Sequence, residues 1–140
     1  MDLVVRFAGG RRVDVAGPGF VIHTDQSIAH GGEGTAPEPF DTFLAALGAC
    51  AGAYVAAFCA ARSIPLDGVR IDERCTFDAT GKRLERVEMT LVLPSSFPQR
   101  HRAGVRAAVD ACKVKKTLLA PPVLEVAVRV NDDTSTVVAP

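Results

Sequence analysis

The residues of this chain best suited to covalent chemistry are four cysteines, at positions 50, 59, 75 and 112. A thiolate can attack an electrophile, bind a soft metal or close a disulfide, and its neighbours decide which. No C-x-x-C pair occurs, and the spacings fit neither a disulfide framework nor a zinc site. Cys50 lies among the small residues Gly48, Ala49, Ala51 and Gly52, which leave room for a substrate or a partner helix to reach its sulfur. Cys59 is nine residues on, close to the opposite face at ~100° per residue, so one helix cannot pair the two. Cys59 and Cys75 read as buried, inert, small apolar side chains. Cys112 is followed at once by Lys113, Lys115 and Lys116. Cations lower a thiol's pKa and a helix C-terminus raises it, so the sequence leaves that balance open. Taken alone, the lysines read as a solvated face.

Other chemistries find little support. His23, His30 and His101 show no mutual spacing suited to a metal, and no H-E-x-x-H or Cys/His cluster occurs, so no metal and no cofactor is expected. The run His30-Gly31-Gly32-Glu33-Gly34 lacks the Walker and Rossmann patterns and reads as a flexible connector. There is no G-x-S-x-G and no evident Ser/His/Asp arrangement.

The elements that must position the thiols follow from hydrophobic pattern and punctuation. Short β-rich runs, Leu3 to Phe7, Arg12 to Val15 and Phe20 to His23, are separated by Gly9-Gly10 and Gly17-Pro18-Gly19, which are turn signals. Thr35 and Glu38 have the capping-box spacing, and Pro37 and Pro39 suit a first helical turn. A long helix is predicted from about Pro39 to Arg62, stopped by Ser63-Ile64-Pro65. At ~1.5 Å per residue it is on the order of 35 Å long. Val69, Ile71, Cys75 and Phe77, then Val87, Met89, Leu91 and Leu93, alternate as an antiparallel hairpin turning at Ala79-Thr80-Gly81-Lys82. Glu73 interrupts its inward face. A second helix is predicted over roughly Gln99 to Lys113, with Lys113 to Lys116 at its C-terminal end, then a last strand, Val123 to Val130, and a frayed polar tail from Asn131.

With 140 residues, 48% apolar, and no linker or repeat, the chain reads as one domain, 1–140. Sixteen basic and sixteen acidic residues give a formal net charge of zero, which removes the electrostatic case for a nucleic-acid or anionic-membrane partner. Phe43 to Ala61 carries no charge and has the length of a membrane span. Nine of its nineteen residues are Ala, and it also holds two Gly, two Cys and a Tyr. It is therefore read as a core or subunit-interface helix. The N-terminal segment lacks a basic region, apolar core and cleavage site, so the expected compartment is the cytoplasm.

The run Pro39-Phe40-Asp41-Thr42-Phe43-Leu44-Ala45-Ala46-Leu47-Gly48-Ala49-Cys50, followed by Val109-Asp110-Ala111-Cys112-Lys113-Val114, resembles the OsmC/Ohr family over roughly Val4 to Val130. The L-A-A-L-G-A-C stretch is the specific part. The resemblance implies an α+β fold, with antiparallel sheets wrapped around a long central cysteine-bearing helix, in an intertwined homodimer. It also implies a cofactor-free peroxidase for organic hydroperoxides, with Cys50 peroxidatic, Cys112 resolving, and a dithiol reductant restoring both. The family's arginine is matched by Arg11 in Gly9-Gly10-Arg11, with Arg12 as its competitor. Well-characterised hydroperoxide-resistance members carry Glu ten residues before the cysteine. This chain has Phe40 there and Asp41 one position later, and Asp41 is the acid expected to support the thiolate.

Overall fold

The structure, a computed structural model, describes residues 1–129. Three strands, β1 (Val4–Phe7), β2 (Val13–Gly17) and β3 (Phe20–Thr24), form an antiparallel sheet in chain order. The register sets Val5 opposite Val15 and Val15 opposite Ile22, with Phe7, Val13 and Phe20 on the same face. That face is apolar, yet Val5, Phe7, Phe20 and Ile22 are exposed.

The Gly-rich run after β3 is not a slack connector. It closes around the fully buried side chain of Asp25, which accepts bonds from the N–H groups of Gln26 (2.8 Å), Glu33 (3.2 Å) and Thr35 (3.0 Å) and from the Thr35 hydroxyl (2.9 Å). These donors, the Thr35 N–H foremost, hold the Asp25 carboxyl below its ordinary range. At Gly32 any Cβ would collide with the Gln26 carbonyl, so glycine is required for the close approach. Thr35 is thereby taken out of the expected capping box. Glu38 is the N-cap residue without a side-chain cap bond, and its carboxylate accepts instead from the Ser27 N–H (3.0 Å) and His30 Nδ1 (2.8 Å).

Helix α1 runs Pro39–Ala60, with proline in the first turn where a missing N–H costs little. Its chain turns away at Ser63, whose φ is 53°. Leu47, Ala51, Val55 and Cys59, four residues apart, form the buried edge of α1. By length and composition the helix could cross a membrane. In this fold its buried edge is covered by the hairpin and the C-terminal helices, while Ala45, Ala46, Ala49, Ala53 and Ala57 are exposed.

Strands β4 (Arg70–Phe77) and β5 (Leu84–Val92) make the expected hairpin, pairing Ile71 with Leu91, Glu73 with Met89 and Cys75 with Val87. A 3-10 turn, Gln99–His101, leads into α2 (Arg102–Asp110). Gly104 lets α2 approach α1, since a Cβ there would lie 2.8 Å from the Phe58 ring. One core cluster joins Val55, Cys59, Ile64, Phe97 and Val105; the other joins Leu47, Ala51 and Cys112.

Two further expectations need correction. The single helix to Lys113 is two helices: α2 ends at Asp110, Cys112 is extended (φ −48°, ψ 125°), and α3 spans Lys113–Leu119. The lysines therefore open a helix rather than close one. No strand forms over 121–129, where Val123, Leu124, Val126 and Val128 are exposed. A strand needs a ladder partner, and the described residues of this chain offer it none; Val130 and the tail from Asn131 lie outside the described residues.

Candidate functional site

The break between α2 and α3 creates the site. By ending α2 before Cys112 and restarting the helix after it, the chain buries the Cys112 thiol (1% exposed) beside α1. It also turns the first amides of α3 toward Cys50. Helical residues at that end have no intrahelical acceptor for their N–H groups, and those of Val114 and Lys113 lie near enough to the Cys50 sulfur to favour its thiolate.

The two thiols are consequently unlike. Cys50, half-buried, is held below the ordinary thiol range, first by the Val114 N–H and then by the Cys112 thiol, with smaller help from the Lys113 N–H and charge; burial opposes them. Cys112 is pushed up, first by burial and further by its neighbour Cys50. The Cys112 thiol donates to the Leu47 carbonyl at 3.9 Å. The pair is therefore a thiolate-prone sulfur exposed to approach and a protonated sulfur behind it.

The other cysteines stay outside this arrangement. Cys59 is fully buried and its thiol is pushed up by desolvation. Cys75 is also pushed up, chiefly by burial, and its Sγ lies 3.8 Å from Glu73 Oε1. All four cysteines are free thiols. Glu73, the inward acid of the hairpin, lies over Gly48: its Oε2 would be 2.5 Å from a Cβ there. Burial raises its pKa.

The single chain brings Cys50 and Cys112 together but does not join Arg11 or Asp41 to them by any hydrogen bond or ion pair among the described residues. Arg11 sits in the β1–β2 turn with its Nε 3.8 Å from where a Gly31 Cβ would be. Arg12 donates to the Ala8 carbonyl across the same turn (3.3 Å). Asp41 is exposed in the first turn of α1. Phe40 packs against Phe43 and Phe77 with tilted rings, centroids 5.6 and 6.1 Å away. Among the described residues no group of His, Cys, Asp and Glu could hold a metal. The contributions of Val114 and Lys113 were not readable in the sequence, because they come from backbone amides that any residue type supplies.

The chain is thus an α+β fold in which Cys50 and Cys112 meet between a long helix and a helix break. Comparison with known proteins gives it a family. The profile of the OsmC-like proteins matches residues 32–127, and the chain belongs to the OsmC family. The fold is similar to that of a candidate osmotic stress induced and detoxification response protein from Psychrobacter arcticus 273-4, at 18% identity and a TM-score of 0.69, covering 82% of this chain and 85% of that one. It is also similar to an OsmC-like protein from Mycoplasma pneumoniae, at 14% identity and a TM-score of 0.66, covering 86% and 87%. A third similar structure is an organic hydroperoxide resistance protein OsmC, predicted redox protein, from Legionella pneumophila, at 18% identity and a TM-score of 0.53, covering 84% and 89%. No curated protein matches the chain.

Proposed function

We propose that this protein is a cytoplasmic, homodimeric thiol peroxidase that reduces organic hydroperoxides to alcohols. The Cys50 thiolate attacks the distal peroxide oxygen, the O–O bond breaks, and the alkoxide leaves as alcohol after taking a proton. Cys50 is then a sulfenic acid. The Cys112 thiol attacks that sulfur, water leaves, and a Cys50–Cys112 disulfide forms. A dithiol reductant returns both thiols by exchange and is itself oxidised to a disulfide. Arg11 and Asp41 give electrostatic support once the second subunit is in place.

The observation that carries this reading is the packing of Cys50 against the buried cluster of Leu47, Ala51 and Cys112. Cys50 is held low by amide donors while its contact Cys112 is held high, which is the division of labour that a nucleophile and a resolving thiol need. The dimer is supported by the exposed apolar face of the N-terminal sheet and by the apolar segment after α3, unpaired among the described residues, since exposed apolar faces of this kind mark interaction sites.

Consumption of cumene hydroperoxide with dithiothreitol tests the chemistry. Cys50→Ser is expected to abolish turnover. Cys112→Ser is expected to stop cycling but leave a Cys50 sulfenic acid that dimedone traps. Wild-type turnover no greater than that of Cys50→Ser would sink the proposal, and a monomer in sedimentation equilibrium at micromolar concentration would sink the dimer. Phe40, standing where the peroxidases have their acid and engaged in an aromatic cluster, favours a second reading. In it the dimer binds a small apolar or thiol-reactive molecule, or senses redox state, with Cys50 oxidised but not turned over.

A further inference from the structure

A cavity of about 660 Å³ lies between β5 and the α2–α3 pair, on the far side of Cys112's shell. Its floor is apolar, formed by Leu47, Met89, Leu91 and Leu118 among others, and neither Cys50 nor Cys112 lines it. Its rim is basic. Arg102 and Arg106 stand one turn apart on the same face of α2, both exposed, and neither has a hydrogen-bond or ion-pair partner among the described residues. The only rim carboxylate among the described residues, Asp110, is bonded to Lys115. An apolar floor of this size with a few convergent polar groups is the usual build of a small-molecule site. Two guanidiniums without a bonded partner among the described residues, with the nearby Asp110 bonded to Lys115 and only in coulombic reach of Arg106, favour a ligand with one anionic end.

We propose that this groove binds an amphipathic monocarboxylate, its alkyl chain on the leucine and methionine floor and its carboxylate between Arg102 and Arg106. The site uses neither sulfur, so it stands independently of the peroxidase reading. Leu47 and Val109 line the groove and also pack around Cys112, so occupancy is felt one side-chain layer from the dithiol.

Octanoate serves as the probe, with octanol as its uncharged counterpart. The chain has two methionines, Met1 and Met89, and Met1 is exposed at the terminus, so a ¹³C-methyl methionine spectrum isolates one reporter on the groove floor. Octanoate is expected to shift the Met89 methyl in the full-length wild type and in Cys50→Ser with equal affinity. The double variant Arg102→Gln/Arg106→Gln should bind octanoate roughly fivefold more weakly, as two exposed charge pairs allow, and octanol should be indifferent to it. An unmoved Met89 signal would overturn the proposal, as when the chain's own 121–129 segment fills the groove. So would an affinity unchanged in the double variant, or one lost in Cys50→Ser.

Discussion

Val114→Pro deletes the N–H that does most to hold the Cys50 thiolate. Val114 is the second residue of α3, ahead of the first amide that an α-helix bonds internally, so proline there removes no helical hydrogen bond. A hydrogen bond to a charged group contributes about 1.5–3 kcal/mol. Cys50 is half-buried, so the low end applies, and the thiolate population on the acid side of its titration falls about tenfold. A more basic thiolate is a better nucleophile, with a Brønsted slope of about 0.4–0.5 that returns about threefold. The variant should therefore be alkylated about threefold more slowly than wild type on the acid side of the Cys50 titration and about threefold faster on the alkaline plateau. The assay follows iodoacetamide modification of the Cys50 peptide by mass spectrometry across pH, which separates it from the other three cysteines. Lys113→Pro provides a second, smaller perturbation. The residue before it, Cys112, already has ψ 125°, the extended conformation that proline demands of its predecessor. Lys113→Ala separates the charge from the amide. Rate profiles superimposable on wild type in both proline variants, with helical circular dichroism retained, would refute amide control of Cys50.

Glu38 is held from an ordinary 4.5 down to about 2, first by the Ser27 hydroxyl and then by His30. A carboxyl depressed on folding stabilises fully above its unfolded pKa and less as pH falls toward its folded one. The melting-temperature advantage of wild type over Glu38→Gln should accordingly be constant above about pH 5 and vanish as pH falls from 4.5 toward 2. Phe97, 3% exposed in the cluster with Val55, Cys59, Ile64 and Val105, should cost about 3–5 kcal/mol when cut to Ala. Urea unfolding reads that loss, and a change under about 1 kcal/mol would mean that the cluster collapses into the space.

Elements whose identity rests on pattern were readable in the sequence, and those that rest on a partner or a backbone turn were not. Period-two alternation placed the hairpin, and Pro39 with Ser63 bounded α1 to within two residues of its ends. The break at Ala111–Cys112 was invisible because Val105, Ala108, Val109 and Cys112 keep helical spacing straight through it. Burying Cys112 against Leu47 and Ala51 outweighed that spacing. The capping box failed for a similar reason: Thr35 found a buried carboxylate in Asp25, ten residues away in sequence. The last strand failed because alternation supplies a face but no hydrogen-bond partner.

The same break explains why reading charge along the chain gave an undecided answer for Cys112. With the lysines at the end of one helix, cation and helix C-terminus oppose each other at a single thiol. With the helix interrupted, the competition is divided between two sulfurs. Cys112, in the turn, is walled in by Leu47 and Ala51 and rises with burial. Cys50, on the other helix, receives the amides that the new helix leaves free and is lowered. A continuous helix from Gln99 to Lys113 would have bonded those amides to its own carbonyls, leaving Cys50 with Cys112 as its chief donor. The asymmetry of the dithiol is thus a property of the backbone path at residues 111–114. Substitutions that heal the helix there should bring the two thiols closer in reactivity without touching either sulfur.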